Sequence, residues 1–311
     1  MVMIKKIIIS AAVSLSLLVA APINAEEDIQ FKETITSLGT VPEDYNIISD
    51  SVKYGPDFEK VSYAATEQET KTKNIIRLDN RTSPIYYAIR PGFPRFSASG
   101  RHAYIAYKDK NAKASVIVDW EPDPEIGDVD SFRFSPDGER YAYRAAKEEH
   151  QCVVIDGKPD DWFEGIPIND EDNILFSPDS RHLAYVAFQN KACRVVRDGK
   201  ASDHGFKLIE SLQFSPNSKN LAYKGKIGKK GGQDQWCVVV NGNKHDAYDH
   251  IFDLRFSFNS KHLAYAALKA EDKQMVLVLK GQELDAHEQY GLPTFSPDSK
   301  KLAYSFRDGK N

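Results

Sequence analysis

Phe176-Ser-Pro-Asp-Ser-Arg-His-Leu-Ala-Tyr185 decides the fold, because the chain says it again and again. The phrase returns from Phe134 to Tyr143, Phe214 to Tyr223, Phe256 to Tyr265 and Phe295 to Tyr304. A weaker copy starts at Phe96. The most diverged starts at Tyr54, whose Gly55-Pro56-Asp57 and Tyr63 still fit. The leading aromatics at 54, 96, 134, 176, 214, 256 and 295 stand 38 to 42 residues apart. A fixed period of that size marks a repeat architecture and overrides any domain count taken from length.

The phrase reads as a β-hairpin. The aromatic closes a short strand whose apolar partner lies two residues earlier, as in Phe132/Phe134, Leu212/Phe214 and Leu254/Phe256. A period of two is the strand signature. Proline presets φ in the following turn, the Asp or Asn side chain bonds nearby backbone, and Gly or Ser comes next. Leu-Ala-Tyr opens the second strand. A β-branched run then follows, such as Cys152 to Ile155, Cys237 to Val240 or Met275 to Leu279. It ends in Asp156-Gly157, Asp198-Gly199, Asn241-Gly242 or Lys280-Gly281, which are strong hairpin turns. Phe206 to Ile209 and Tyr248 to Ile251 are expected to mark a fourth strand.

Four antiparallel strands in about 40 residues make one propeller blade. The expected fold is therefore an all-β, seven-bladed β-propeller of four-stranded antiparallel blades in one domain, residues 26–311. The last repeat has only two strands. Ile29 to Ile35 and Tyr45 to Ile48 are strand-like, and such N-terminal strands would complete the last blade and cover open edges. The alternative is six regular blades with residues 26–95 as an accessory segment.

Residues 1–25 read as a secretory signal peptide. Lys5 and Lys6 form the positive start, Ile7 to Ala21 the apolar core, and Ile23-Asn24-Ala25 the cleavage site. The apolar run is shorter than the ~20 residues of a membrane-spanning helix. Cleavage places the protein in the periplasm or outside the cell. The chain carries a formal charge of −4, and removing the leader takes away two lysines and no acids. Such a mildly acidic protein has no global electrostatic reason to bind nucleic acid or anionic lipid. Three cysteines, Cys152, Cys193 and Cys237, fall at near-equivalent repeat positions. Equivalent strands of adjacent blades splay apart, which predicts small buried apolar residues rather than disulfides.

The Phe-Ser-Pro-Asp-(Gly/Ser)-(Lys/Arg)-x-Leu-Ala-Tyr phrase resembles the WD40-like repeat of bacterial propellers of the TolB type. It is also similar to the propellers covering prolyl-oligopeptidase-type hydrolases. The resemblance spans about residues 45–311 and implies an envelope-side binding scaffold. TolB-like proteins carry a further α/β domain before the propeller, where this sequence offers about 25 residues between leader and first blade. The Gly-x-Ser-x-Gly elbow of the hydrolases is absent. Fold alone does not imply function.

Candidate sites follow from charge placement. The position before the repeat aromatic is polar in most blades: Lys53, Arg95, Arg133, Gln213, Arg255 and Thr294, with Leu175 the exception. On the innermost strand, Lys53, Arg95, Arg133 and Arg255 could grip an anionic partner, or pair with acids such as Asp137 or Asp298 in neighbouring turns. Lys224-Gly-Lys-Ile-Gly-Lys-Lys-Gly-Gly232 is a cationic loop in which Lys224, Lys226, Lys229 and Lys230 could dock phosphate or an acidic patch. It lacks the Gly-Lys-Ser/Thr and the following helix of a phosphate-binding P-loop. A solvated hairpin tip is the plainer reading.

His102, His182 and His262 share one repeat position with Lys60, Arg140, Asn220 and Lys301. A slot that accepts all of these is an exposed turn position, and no metal site is expected there. The acidic runs Asp123 to Asp130 and Asn169 to Asn173 lack the ligand alternation of a calcium loop. Tyr63, Tyr143, Tyr185, Tyr223, Tyr265 and Tyr304 should pack between blades with their hydroxyls partnered. No catalytic motif or cofactor fingerprint is present. The expected activity is binding of a protein, peptide or glycan, with Trp120, Trp162 and Trp236 as candidates for an exposed aromatic patch. The alternative is a saccharide-acting lyase or glycosidase whose site is assembled from several blades.

Overall fold

A computed structural model describes residues 14–17, 36–167, 174–228, 232, 234–269 and 274–307. The chain falls into two compact units: residues 1–129 with 137–139, and residues 130–136 with 140–311. Of the expected leader only Ser14–Leu17 is described, a short strand paired with Thr36–Thr40. Lys229, Lys230, the run 169–173 and Ile29 to Ile35 lie outside the described residues.

The second unit is a series of antiparallel meanders. Its first sheet orders Asp128–Phe134 (beginning two residues earlier, in the first unit), Tyr141–Lys147, His150–Ile155 and Lys158–Pro159. Next come Ile174–Phe176, Leu183–Gln189, Ala192–Arg197 and Lys200–Ala201. The third runs Leu208–Phe214, Leu221–Ile227, Gln235–Val240 and Asn243–Tyr248, and the fourth His250–Phe256, Leu263–Leu268, Met275–Leu279 and Gln282–His287. Two strand pairs end the unit, Thr294–Phe295 with Leu302–Ala303 and Gln289–Tyr290 with Phe306–Arg307. The first unit holds two five-stranded sheets, centred on Val61–Glu67 and on His102–Tyr107. Four-stranded antiparallel meanders in sequence order are propeller blades, and the chain is an all-β protein of that type. All seven repeat aromatics end a strand, as their spacing predicts.

Alternation along each central strand explains the core. Leu183, Tyr185 and Ala187 face the preceding sheet, in one cluster with Ala142 and Val153. Ala184 and Val186 face the next, in a cluster with Phe206, Leu212, Tyr223 and Val239. Both faces of these strands are buried, hence the near-continuous apolar run. Each buried Val, Leu or Phe contributes about 1.5–3 kcal/mol relative to exposure. Cys193 and Cys237 share the second cluster, and all three cysteines are buried and free.

The Ser-Pro-Asp-Ser turn does more than reverse the chain. Ser177 Oγ donates to Asp179 Oδ1 and accepts the His182 N–H, and the Asp179 carboxylate takes the Arg181 N–H. Ser180, Ser218, Ser260 and Ser299 hold φ between +59° and +64°, the left-handed region. The hydroxyls of Ser218, Ser260 and Ser299 then link successive sheets of the second unit. The N–H of Asp179 donates to Ser218 Oγ, that of Asn217 to Ser260 Oγ, and that of Asn259 to Ser299 Oγ, each at 2.9 Å. In the first unit Gly138 takes this slot at φ +81°, and a Cβ there would lie 2.4 Å from the Ser99 nitrogen.

Three expectations change. Tyr45–Ile47 does not complete the last repeat. It pairs with Val61–Glu67 in the first sheet, where Tyr45 and Ile47 pack on Tyr63, Ala65 and Ile75. The fourth strands expected at Phe206 to Ile209 and Tyr248 to Ile251 stop sooner: Tyr248 ends the fourth strand Asn243–Tyr248 and Phe206 bridges Cys193 of the third strand, whereas Leu208 and His250 already begin the first strands of the next sheets. His102 is not exposed. The hairpin aspartates give the reason, since Asp198 Oδ1 caps the N–H of Leu183 whereas Asp119 Oδ1 caps that of His102. The turn after Phe96 is one residue shorter: Ser97 N–H bonds the Arg101 carbonyl, where Ser177 N–H bonds that of His182. His102 therefore falls in the interior slot of Leu183 and Leu221, and Tyr104 fills the repeat tyrosine slot.

Candidate functional site

The inner-strand cations behave individually. In the first unit Lys53 is half-buried opposite Ser62. The Arg95 guanidinium lies 4.7 Å from the Phe93 ring centre, and its Nε donates to the Gly92 carbonyl. In the second unit Arg133 is half-buried, and Arg255 is exposed and paired with Asp253 of its own strand at 2.6 Å. Gln213 at the equivalent position donates to the Leu254 carbonyl of the next sheet.

The lysine-rich hairpin divides into two roles. Lys224 is only 8% exposed. Its Nζ reaches the Ile251 carbonyl at 3.3 Å and Glu210 at 3.2 Å, and lies 5.5 Å from the Trp236 ring centre. Arg144 holds the same repeat position, bonded to Asp130 and to the Ile166 carbonyl. Both side chains tie a strand to the backbone that follows. Lys226 lies over the same Trp236 ring, at 5.8 Å from its centre, but is more exposed. With Lys191 and Lys207 it lines a cleft of about 270 Å³, whose remaining walls are Ala192, Gly205, Phe206, Ile227 and Gly228. Asp234 joins two of the three ammonium groups, at 2.6 Å from Lys207 and 3.6 Å from Lys226.

The walls of this cleft are pinned by the fold. Phe206 exchanges backbone hydrogen bonds with Cys193, and Lys207 N–H donates to the Lys226 carbonyl. The Phe206 ring lies edge-on to Tyr223. It also fills the space above Gly225, where a Cβ would lie 2.3 Å away and other repeats place Ala145, Ala187 and Ala267. Gly205 leaves the mouth open. One sheet earlier in the outer-strand series the corresponding residue, one before the bridging aromatic Phe163, is Trp162. Lys191, Lys207, Gly205 and Phe206 were not legible as a site in sequence. The one available signal was the exchange of Trp162 for Gly205 beside a cationic hairpin.

The remaining titratable groups are structural. His102 is 2% exposed, and its Nε2 is 2.7 Å from Ser62 Oγ. Because Ser62 Oγ donates to the Arg77 carbonyl, it accepts the Nε2 proton. Nδ1 is then a buried acceptor without a partner among the described residues. Burial pushes the His102 pKa down to about 4, against a partial opposing pull from Asp119. Burial, reinforced by Asp160, pushes the Cys152 thiol up to about 11 and leaves it unreactive. Burial also raises Tyr104, Tyr185 and Tyr265, whose hydroxyls meet Tyr86, Asp160 and His245 Nδ1. Among the described residues no three His, Cys, Asp or Glu side chains converge to hold a metal ion. Trp236 is buried, Trp120 half-buried, and Trp162 is 38% exposed beside Asp160 and Asp161.

No protein-family model matches the chain, and no curated protein does. Among solved structures it is similar to TolB from Acinetobacter baumannii, at 16% identity over 80% of this chain and 71% of that one, TM-score 0.32. It is also similar to the β-propeller domain of the trilobed protease from Pyrococcus furiosus, at 12% identity over 79% and 84%, TM-score 0.37. The tricorn protease matches at 14% identity over 90% of this chain and 34% of its own, TM-score 0.39. These values assign no activity, substrate or partner to this chain. No helix among the described residues is long and apolar enough to cross a membrane.

Proposed function

We propose that the protein is an exported scaffold of seven propeller blades that binds a protein, peptide or glycan partner in the bacterial envelope or outside the cell, and that it is not an enzyme. One observation carries this reading. The groups with strongly displaced pKa values are sealed into packing, whereas the cleft of the second unit is walled by ammonium groups and apolar surface. Catalytic sites place perturbed groups in a cleft, and docking surfaces place an apolar floor inside a polar rim. The leader-like residues 1–25 support export.

The test is affinity capture with residues 26–311 from a detergent-solubilised envelope extract of the source cell. A salt-sensitive partner, lost with Arg133→Glu plus Arg255→Glu or with Lys226→Glu, is the expected result. Recovery of no partner, together with release of sugars from envelope glycans, would replace this reading with a saccharide-acting enzyme.

A further inference from the structure

We infer that the cleft between Lys191, Lys207 and Lys226 takes a carboxylate-bearing side chain from an acidic, partly aliphatic peptide segment. This deepens the scaffold reading and rests on it. Three lysines line the cleft, and one carboxylate, Asp234, pairs with two of them, so the cleft carries an excess of positive charge. Lys191 has no ion-pair partner among the described residues, while Asp234 holds the other two. An incoming carboxylate can therefore pair with Lys191 directly and share Lys226, whose 3.6 Å contact with Asp234 is the looser of the two.

The floor sets the second requirement. Phe206, Ile227 and Ala192 present apolar surface, which favours methylene or aliphatic groups over a bare inorganic anion. The space is open because residue 205 is glycine. An ideal Cβ there would lie 2.9 Å from the Ala192 Cβ, and one at Gly228 would lie 3.0 Å from Lys207 Cε. A side chain at either position would fill the mouth, as the larger residue Trp162 stands at the corresponding place in the earlier outer strand. Because backbone hydrogen bonds hold Phe206 and Lys207 in place, the cleft is formed before its ligand arrives, which limits the ordering cost of binding.

The experiment is fluorescence anisotropy on the purified chain with a labelled short peptide of alternating Glu and Leu. A Gln/Leu peptide and excess inorganic phosphate serve as comparisons. Lys191→Glu with Lys226→Glu should weaken binding of the Glu/Leu peptide by about tenfold or more, and the Gln/Leu peptide should bind correspondingly worse than its parent. Lys191→Gln with Lys207→Gln should lower affinity in the same direction. This second variant keeps the assay decisive if charge reversal disturbs folding, which thermal melting reports. Equal binding by the charge-neutral variant overturns the inference, as does equal binding of the Gln/Leu peptide. Complete displacement by phosphate also overturns it, by reducing the cleft to an anion site. Repeating the envelope capture with the charge-neutral variant separates the two readings: an undiminished partner removes the cleft and leaves the scaffold standing.

Discussion

His102 and His182 occupy the same place in the written repeat and opposite places in the folded one. In the second unit His182 lies at the surface, its Nδ1 2.8 Å from Asp198, which also caps Leu183. In the first unit one missing turn residue moves every later side chain along by one. Arg101 takes the surface slot, pairing with Asp119 at 2.7 Å, just as Arg140 pairs with Asp156 at 2.9 Å in the second unit. His102 is driven inside, between Phe96, Tyr104 and Trp120. Sequence phase counted from the leading aromatic is thus less reliable than phase counted from the hairpin Asp or Asn, whose side chain caps the central strand. A one-residue slip in a strand exchanges its two faces, and here the slip is absorbed wholly in the turn.

The comparison breaks first on acid. An unfolded His102 binds its proton near pH 6.5, and the folded one resists until about pH 4, so stability falls as pH drops through that window and levels off below it. The loss should be about 3 kcal/mol. His102→Leu, the residue its interior neighbours in other repeats carry, should remove that loss and be neutral or stabilising at pH 7. Urea unfolding of both proteins at pH 7 and pH 4 measures it. An equal acid loss in the variant would mean His102 is not the buried group described. Next in size, Arg101→Ala and Arg140→Ala should each cost about 1 kcal/mol, since each guanidinium bonds its hairpin aspartate and a carbonyl of the following turn. If only one of them costs stability, the two arginines do not share a slot. Smallest is His182→Ala, an exposed pair worth under about 0.5 kcal/mol. A larger effect in thermal melting would show the surface slot to be more than a rim contact.

Much of the fold was legible because the determinants are local. The strand alternation, the Ser-Pro-Asp turns and the Asp-Gly hairpins act within a dozen residues, and the structure places a strand end at every predicted aromatic. The burial of the cysteines and the partnering of Tyr185 and Tyr265 followed from the same periodicity. What the sequence hid was non-local. Tyr45–Ile47 is as good a strand for one sheet as for another, and its partner is settled by packing against Tyr63 and Ile75. The cleft joins Lys191, Lys207 and Lys226 from a hairpin tip, an outer segment and a central strand, and no spacing rule connects them. Lys224 and Lys226 stand two apart in one strand against the same Trp236 ring, and the sequence could not tell that one is buried on the Ile251 carbonyl while the other lines the cleft.

The serine links between turns carry an evolutionary corollary. The turns at Asn217-Ser218 and Asn259-Ser260 each present a backbone N–H to the next repeat and a hydroxyl to the previous one, so these two modules bear both halves of the same coupling. Duplicating or deleting one whole module leaves no coupling open, whereas an excision out of phase strands a buried N–H without an acceptor, at the cost such orphans carry. The period of the gene is therefore enforced by the joint as well as by the core. Such a chain can change length by whole repeats far more readily than by parts of one.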